Sequence, residues 1–175
     1  PFRGGKGNLN EGGLRVPMIA HWPGHTPAGQ VCDDPWAFYD FFPTAAELAD
    51  ASVPPRLDGI SIADMLRGEG DIPERDHFYW EFCEGFKAEQ AVRMGRWKAY
   101  REHPGRPTEL YDVEADPGEQ NNLAEGHPEI VAQADELFET ARVQSPIFPD
   151  PGEDRKAWKA RMDRQGRQLP RNVDL

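Results

Sequence analysis

The sequence predicts the closing edge of an α/β domain followed by a small α+β subdomain, in which a four-stranded antiparallel sheet carries one covering helix. Three observations point there. Residues 16–67 hold a short apolar run and then two helical patterns. Residues 77–113 hold four short segments of β character, and residues 127–143 carry an apolar stripe at helical spacing.

Val16 to Trp22 is an apolar run closed by Pro23-Gly24, the pattern of a buried strand. Pro27-Ala28-Gly29 makes a turn. Trp36 to Ala49 mixes aromatics with helix formers, and Pro43 suits the first turn of a helix running to about Asp50. Ile60 to Arg67 reads as a second short helix stopped by Gly68. The other strands of this α/β domain are expected outside the present sequence. A Pro, Gly and acid stretch from Gly68 to Asp76 marks a boundary, dividing the chain into residues 1–68, a subdomain at 69–148 and a charged tail at 149–175.

In the subdomain, His77 to Cys83, Gln90 to Met94, Trp97 to Arg101 and Leu110 to Val113 read as strands, and Met94-Gly95-Arg96 fits a tight hairpin. From His127 to Val143, Pro128 stands near the start, and Ile130, Val131, Ala134, Leu137, Phe138 and Ala141 share one face of an amphipathic helix. Strand alternation predicts that Trp97 is buried beside Lys98; Arg93 and both of these read as structural. Beyond Pro149 the chain is charged and proline-punctuated. Apart from a short helix around Glu153 to Met162, it reads as loosely tied down.

With 175 residues, 38% hydrophobic and 10% aromatic, the chain can bury one modest core, and 17 Gly with 17 Pro imply many loops. No run of eighteen apolar residues exists, so no membrane span is encoded in these residues. Residues 69–141 carry eighteen Asp/Glu against seven Lys/Arg, whereas residues 142–175 carry eight Lys/Arg against five Asp/Glu. An acidic middle of this kind argues against a nucleic-acid surface, because phosphate contacts need clustered cations. Cys32 and Cys83 lack any Cys-x-x-Cys or neighbouring ligand spacing and read as two buried thiols. His21 and His25 are spaced like metal ligands, but Pro23-Gly24 breaks the helix that would align them.

The chemistry is concentrated near the start. Gly4 to Pro17 contains five glycines, and its only cations are Lys6 and Arg15. A glycine-rich backbone takes positive φ and lies close to a ligand, so the segment suits a small oxyanion; composition alone would favour a surface loop. A nucleotide phosphate loop is excluded, because no Ser or Thr follows Gly5-Lys6 and no strand length precedes it.

The order of residues says more. Lys6-Gly7, then Glu11-Gly12-Gly13 and Arg15-Val16-Pro17, an apolar run and Trp22-Pro23-Gly24 resemble the lysine segment of the type I sulfatases. These are formylglycine-dependent sulfuric ester hydrolases of the alkaline phosphatase superfamily. The resemblance continues through Asp40-Phe41-Phe42-Pro43-Thr44, Leu57-Asp58-Gly59-Ile60-Ser61, Met65-Leu66-Arg67-Gly68, Ala91 to Lys98 and Glu109 to Glu119, and ends near residue 143.

The resemblance implies an alkaline-phosphatase-like α/β parent of which this chain is the C-terminal third or so. It places Lys6 on the family's sulfate-binding lysine, the candidate catalytic residue here, with the leaving ester oxygen as a second contact. Glu11, Gly12, Gly13 and Arg15 are assigned support, with Glu11 and Arg15 spaced to pair with each other. Trp80 and Glu81 are weaker candidates for substrate contact. Several relatives write Trp-Glu-His-x-Gly where this chain has Trp80-Glu81-Phe82-Cys83-Glu84-Gly85, so a histidine is missing. Calcium and the formylglycine nucleophile, within Cys/Ser-x-Pro-x-Arg, are expected upstream, and no metal ligand is assigned here. Ser52-Val53-Pro54-Pro55-Arg56 fits the short pattern but lies after Lys6 and lacks the Thr-Gly that should follow.

Expected partners are a sulfated small molecule or carbohydrate and the preceding catalytic portion, with a periplasmic or secreted location suggested by the family. Two alternatives stand beside this. One is a catalytically inactive stand-alone binding or scaffolding module; the other is a phosphate or phosphonate ester hydrolase of the same superfamily.

Overall fold

The computed structural model describes residues 1–83 and 87–167. The chain packs as two compact units, one made of Pro1–Val16 with Asp76–Leu175 and the other of Pro17–Arg75. The sequence division at residue 68 groups residues 1–16 with those that follow them. Packing groups them with the sheet instead, because Leu9 and Leu14 bury their side chains on it.

The first unit is built on an antiparallel meander of β1 (Phe78–Phe82), β2 (Glu89–Met94), β3 (Trp97–Arg101) and β4 (Glu109–Asp112), neighbouring in that order. The β2–β3 register pairs Met94 with Trp97 and leaves the two-residue loop Gly95-Arg96, with Gly95 at φ 56°. Such a loop needs positive φ, and glycine supplies it without steric penalty.

Both faces of the sheet are covered, so alternation here separates two interiors rather than core from solvent. On one face Val92, Ala99 and Leu110 pack against Ala134 and Phe138 of a helix, Pro128–Thr140. The Arg101 guanidinium lies 4.4 Å from the Phe138 ring centroid and pairs with Glu139 at 2.7 Å. On the other face Ala91 and Tyr100 receive Leu9, flanked by Leu14, Trp80 and Phe82.

This arrangement corrects the expectation for Trp97. Trp97 is only half-buried, at the margin of the helix-covered cluster, and Lys98 is the fully buried side chain, facing residues 1–16. The tail carries the short helix expected around Glu153 to Met162, but it is packed down rather than loosely tied. A helix spans Arg155–Arg164, capped by Asp154, whose side chain accepts the Ala157 N–H at 2.8 Å. Trp158 and Met162 are buried, and Arg161 donates to Glu153, to Ser145 O and to Phe148 O. Residues 168–175 lie outside the described residues.

The second unit is organised by Asp40, whose side chain is wholly buried. Its carboxylate accepts the N–H groups of Ala37 at 2.7 Å and Ile60 at 2.9 Å and an Arg75 N–H at 2.6 Å. Thr44 Oγ1 donates to Asp40 O and accepts the Ile62 N–H. Thus the Asp40 to Thr44 and Leu57 to Ile62 segments are two halves of one hydrogen-bonded knot. A Cβ on Gly59 would stand 2.1 Å from Tyr39 O, so only glycine fits that crossing. The helices here are Phe41–Leu48 and Ala63–Arg67, the second stopped by Gly68 at φ 72°.

Val16 to Trp22 forms no strand. It pairs with no other segment among the described residues, and Val16 and Ile19 are 76% and 93% exposed. An apolar run becomes a strand only when a neighbour completes its ladder. Both cysteines are free thiols, as expected, but Cys32 is exposed and Cys83 only half-buried, where two buried thiols were expected. Burial, reinforced by Glu81, pushes the Cys83 thiol up to about 11.

Candidate functional site

Residues 3–13 fold back into a closed loop on the sheet. The Gly12 N–H donates to Arg3 O at 2.7 Å, and the Asn10 N–H to the Asn8 side-chain oxygen at 3.0 Å. Glycine is required at the closure: a Cβ on Gly13 would lie 1.8 Å from Asn8 O, and one on Gly12 would lie 2.5 Å from Arg3 O. Lys6 stands in the turn between Gly5 and Gly7, exposed, with no hydrogen bond or ion pair among the described residues. Its ammonium is therefore free to meet an oxyanion from outside.

Beneath that turn the loop is fixed by carboxylates. Glu89 of β2, itself buried, accepts the Leu9 N–H at 3.0 Å and the Asn8 side-chain N–H at 3.1 Å. Lys87 donates to Gly7 O at 2.8 Å. Glu11 opens a single helical turn, Glu11–Leu14, and its N–H donates to Glu119 at 2.8 Å. Lys98 Nζ donates to Glu11 Oε1 at 2.9 Å and lies 3.0 Å from Glu119 Oε1, an ion pair outside hydrogen-bond geometry. The Lys98 and Glu119 side chains are both 0% exposed.

Arg15 does pair with Glu11, loosely, at 3.9 Å, and its guanidinium lies 5.1 Å from the Phe2 ring centroid. Arg93 is half-buried; burial pulls its pKa down while nearby Glu11 pushes it up. Arg3 is committed elsewhere, to Glu109 at 2.9 Å and the Tyr111 hydroxyl at 2.6 Å.

Trp80 is on the loop-covered face, packed with Leu9, Ala91 and Tyr100 and stacked on Phe78 at 5.5 Å. Glu81, one residue on, points to the opposite face and accepts Arg142 Nε and the Tyr79 hydroxyl, each at 2.8 Å. Strand alternation thus keeps Glu81 away from Lys6. Glu84 and Gly85 of the Trp80–Gly85 segment lie outside the described residues. Sequence reasoning read Lys98 as structural but did not find its partners, and it gave no role to Glu89 or Glu119, which also hold the loop. Sequence shows only that Glu119 closes the Asp116-Pro117-Gly118-Glu119 turn; in the structure it sits at φ 52°, a conformation unusual for a residue with a Cβ.

The described residues present no calcium site. Among the described residues no group of three His, Cys, Asp or Glu side chains is arranged to hold a metal ion, and residues 51–58 are exposed. Among them, too, no helix is long and apolar enough to cross a membrane.

Residues 5–144 match the family described as N-sulphoglucosamine sulphohydrolase, C-terminal. The chain belongs to the sulfatase family. It is 31% identical to the steryl-sulfatase of Mus musculus, over 85% of this chain and 29% of that protein. It is 32% identical to the arylsulfatase A of Bos taurus, over 76% of this chain and 31% of that protein. Among solved structures, Ps i-CgsB aligns with all of the chain and 39% of its own length, at a TM-score of 0.74 and 26% identity. The chain therefore spans under a third of the curated sulfatases it matches, and its sheet with covering helix is the α+β C-terminal subdomain of that fold.

Proposed function

We propose that this chain is the C-terminal part of a sulfatase that hydrolyses sulfate esters, and that Lys6 contacts the sulfate. The observation that carries the reading is the exposed, unengaged Lys6 ammonium on a loop fixed from below, in a chain of the sulfatase family. A cation held in place before reaction stabilises charge as it develops on the sulfuryl oxygens, without reorganising at the moment of transfer. Formylglycine and calcium would be supplied by sequence preceding Pro1. This chain's own contribution is the lysine, the glycine backbone that lets substrate approach, and Arg15 with Glu11 as support.

Exposed Ile19, Val31, Phe38 and Phe41 in residues 17–75 support packing against further chain. A sulfated small molecule or carbohydrate is the substrate class, and a periplasmic or secreted location suits it.

The test is Lys6→Ala in the complete protein with p-nitrophenyl sulfate. The expected loss in kcat/KM is about 10²–10³-fold, as for other preorganised donors, with the circular dichroism spectrum unchanged. A change of only a few-fold would overturn the assignment of Lys6. The 175-residue chain alone should show no turnover; turnover abolished by Lys6→Ala would place the whole site within it.

A further inference from the structure

Resting on that reading of Lys6, we infer that Lys98, Glu11 and Glu119 form a buried ionic anchor that positions the lysine loop, and are positioning residues for the reaction. Lys98 is the second residue of β3, Glu119 comes from the turn after β4, and Glu11 from the loop itself. Glu119 holds Glu11 by its backbone N–H while Lys98 holds it by its carboxylate, so one residue is gripped at two points.

The composition of this cluster is what separates it from ordinary packing. One ammonium faces two carboxylates in an interior where all three side chains are at most 6% exposed, and the half-exposed Arg15, 3.9 Å from Glu11, and the half-buried Arg93 near Glu11 offset the excess negative charge. Buried ion clusters are poor stabilisers compared with apolar residues of the same volume, and their best-attested use is to specify one arrangement. The arrangement specified here is the placement of residues 3–13. Glu11 stands one residue from the Gly12 N–H to Arg3 O closure, so a shift at Glu11 moves the loop that carries Lys6.

A double-mutant cycle in the complete protein tests this. Glu119→Leu removes the acceptor of the Glu11 N–H and leaves Lys98 and Glu11 as a neutral pair; Glu11→Leu removes the side-chain link and keeps the backbone one. Each should lower kcat/KM by about tenfold in the wild-type background, within the range of coupling between interacting residues, and by less than about twofold in a Lys6→Ala background. Hydrogen exchange at the Leu9 and Glu11 amides should quicken in Glu119→Leu.

Equal losses in both backgrounds would mean a structural role only and overturn the proposal, as would no loss in either variant. A Lys6→Ala effect of only a few-fold would instead remove the sulfate-binding reading. Unchanged exchange at Glu11 would remove the anchor from the loop whatever Lys6 does.

Discussion

At the scale of single residues, Lys98 is the position where removal should do most harm. Its loss removes the ammonium that pairs with both buried carboxylates, Glu11 and Glu119, and leaves Glu11 its loose contact with Arg15. Lys98→Ala should cost about 3–5 kcal/mol, the range for breaking a buried pair from one side. Urea unfolding of the complete protein checks it, and a loss under about 1 kcal/mol would mean that water or Arg15 neutralises the carboxylates. Gly13→Ala should cost about 1–3 kcal/mol by overpacking, since the new methyl would meet Asn8 O at 1.8 Å. The closing glycines of the loop were legible because turn chemistry is written in adjacent letters. Lys98 was not: its partners lie 87 positions before and 21 after it, and a lysine on a strand ordinarily reads as solvated.

At the scale of elements, the helix Pro128–Thr140 stays on the sheet through Phe138, which is 0% exposed against Val92, Ala99 and Leu110. Phe138→Ala should cost about 3–5 kcal/mol, read as a drop in the denaturation midpoint with the slope unchanged. The tail helix should respond to acid. Arg161 holds the Glu153 carboxyl below its ordinary 4.5, against burial, which pushes the other way. A carboxyl lowered in the folded state contributes stability above its unfolded value and loses it as pH falls through the folded one. Trp158 fluorescence should therefore be flat near neutrality and change below about pH 4. Glu153→Gln should weaken the helix at neutral pH and flatten that acid step. The strands and the Pro128 helix were legible to within a few residues from alternation and helical spacing. The packed tail was not, because Arg161 docks through loop carbonyls of Ser145 and Phe148, which no periodicity announces.

At the scale of the whole molecule, the two units differ in how completely they hide their apolar side chains. The sheet unit covers both faces of its sheet. Residues 17–75 instead expose Ile19 at 93%, Phe38 at 87%, Val31 at 85% and Phe41 at 58%, with the Phe38 and Phe41 rings stacked at 6.2 Å. The apolar run from Val16 to Trp22 reads as a buried strand, but it is exposed and unpaired among the described residues, because local sequence does not supply the neighbour a strand needs. A net charge of −11 opposes association at long range, but salt screens it beyond about 8 Å at physiological strength. The 175-residue chain should therefore bind a hydrophobic dye such as anilinonaphthalene sulfonate and associate more strongly as salt is raised. Phe38→Ser with Phe41→Ser should reduce both, with little change in unfolding midpoint, because neither ring contributes to a buried cluster. The complete protein should bind little dye if this surface is covered there. Equal dye binding by the two proteins, per mole of chain, would mean that the apolar face of residues 17–75 stays open and meets some other partner.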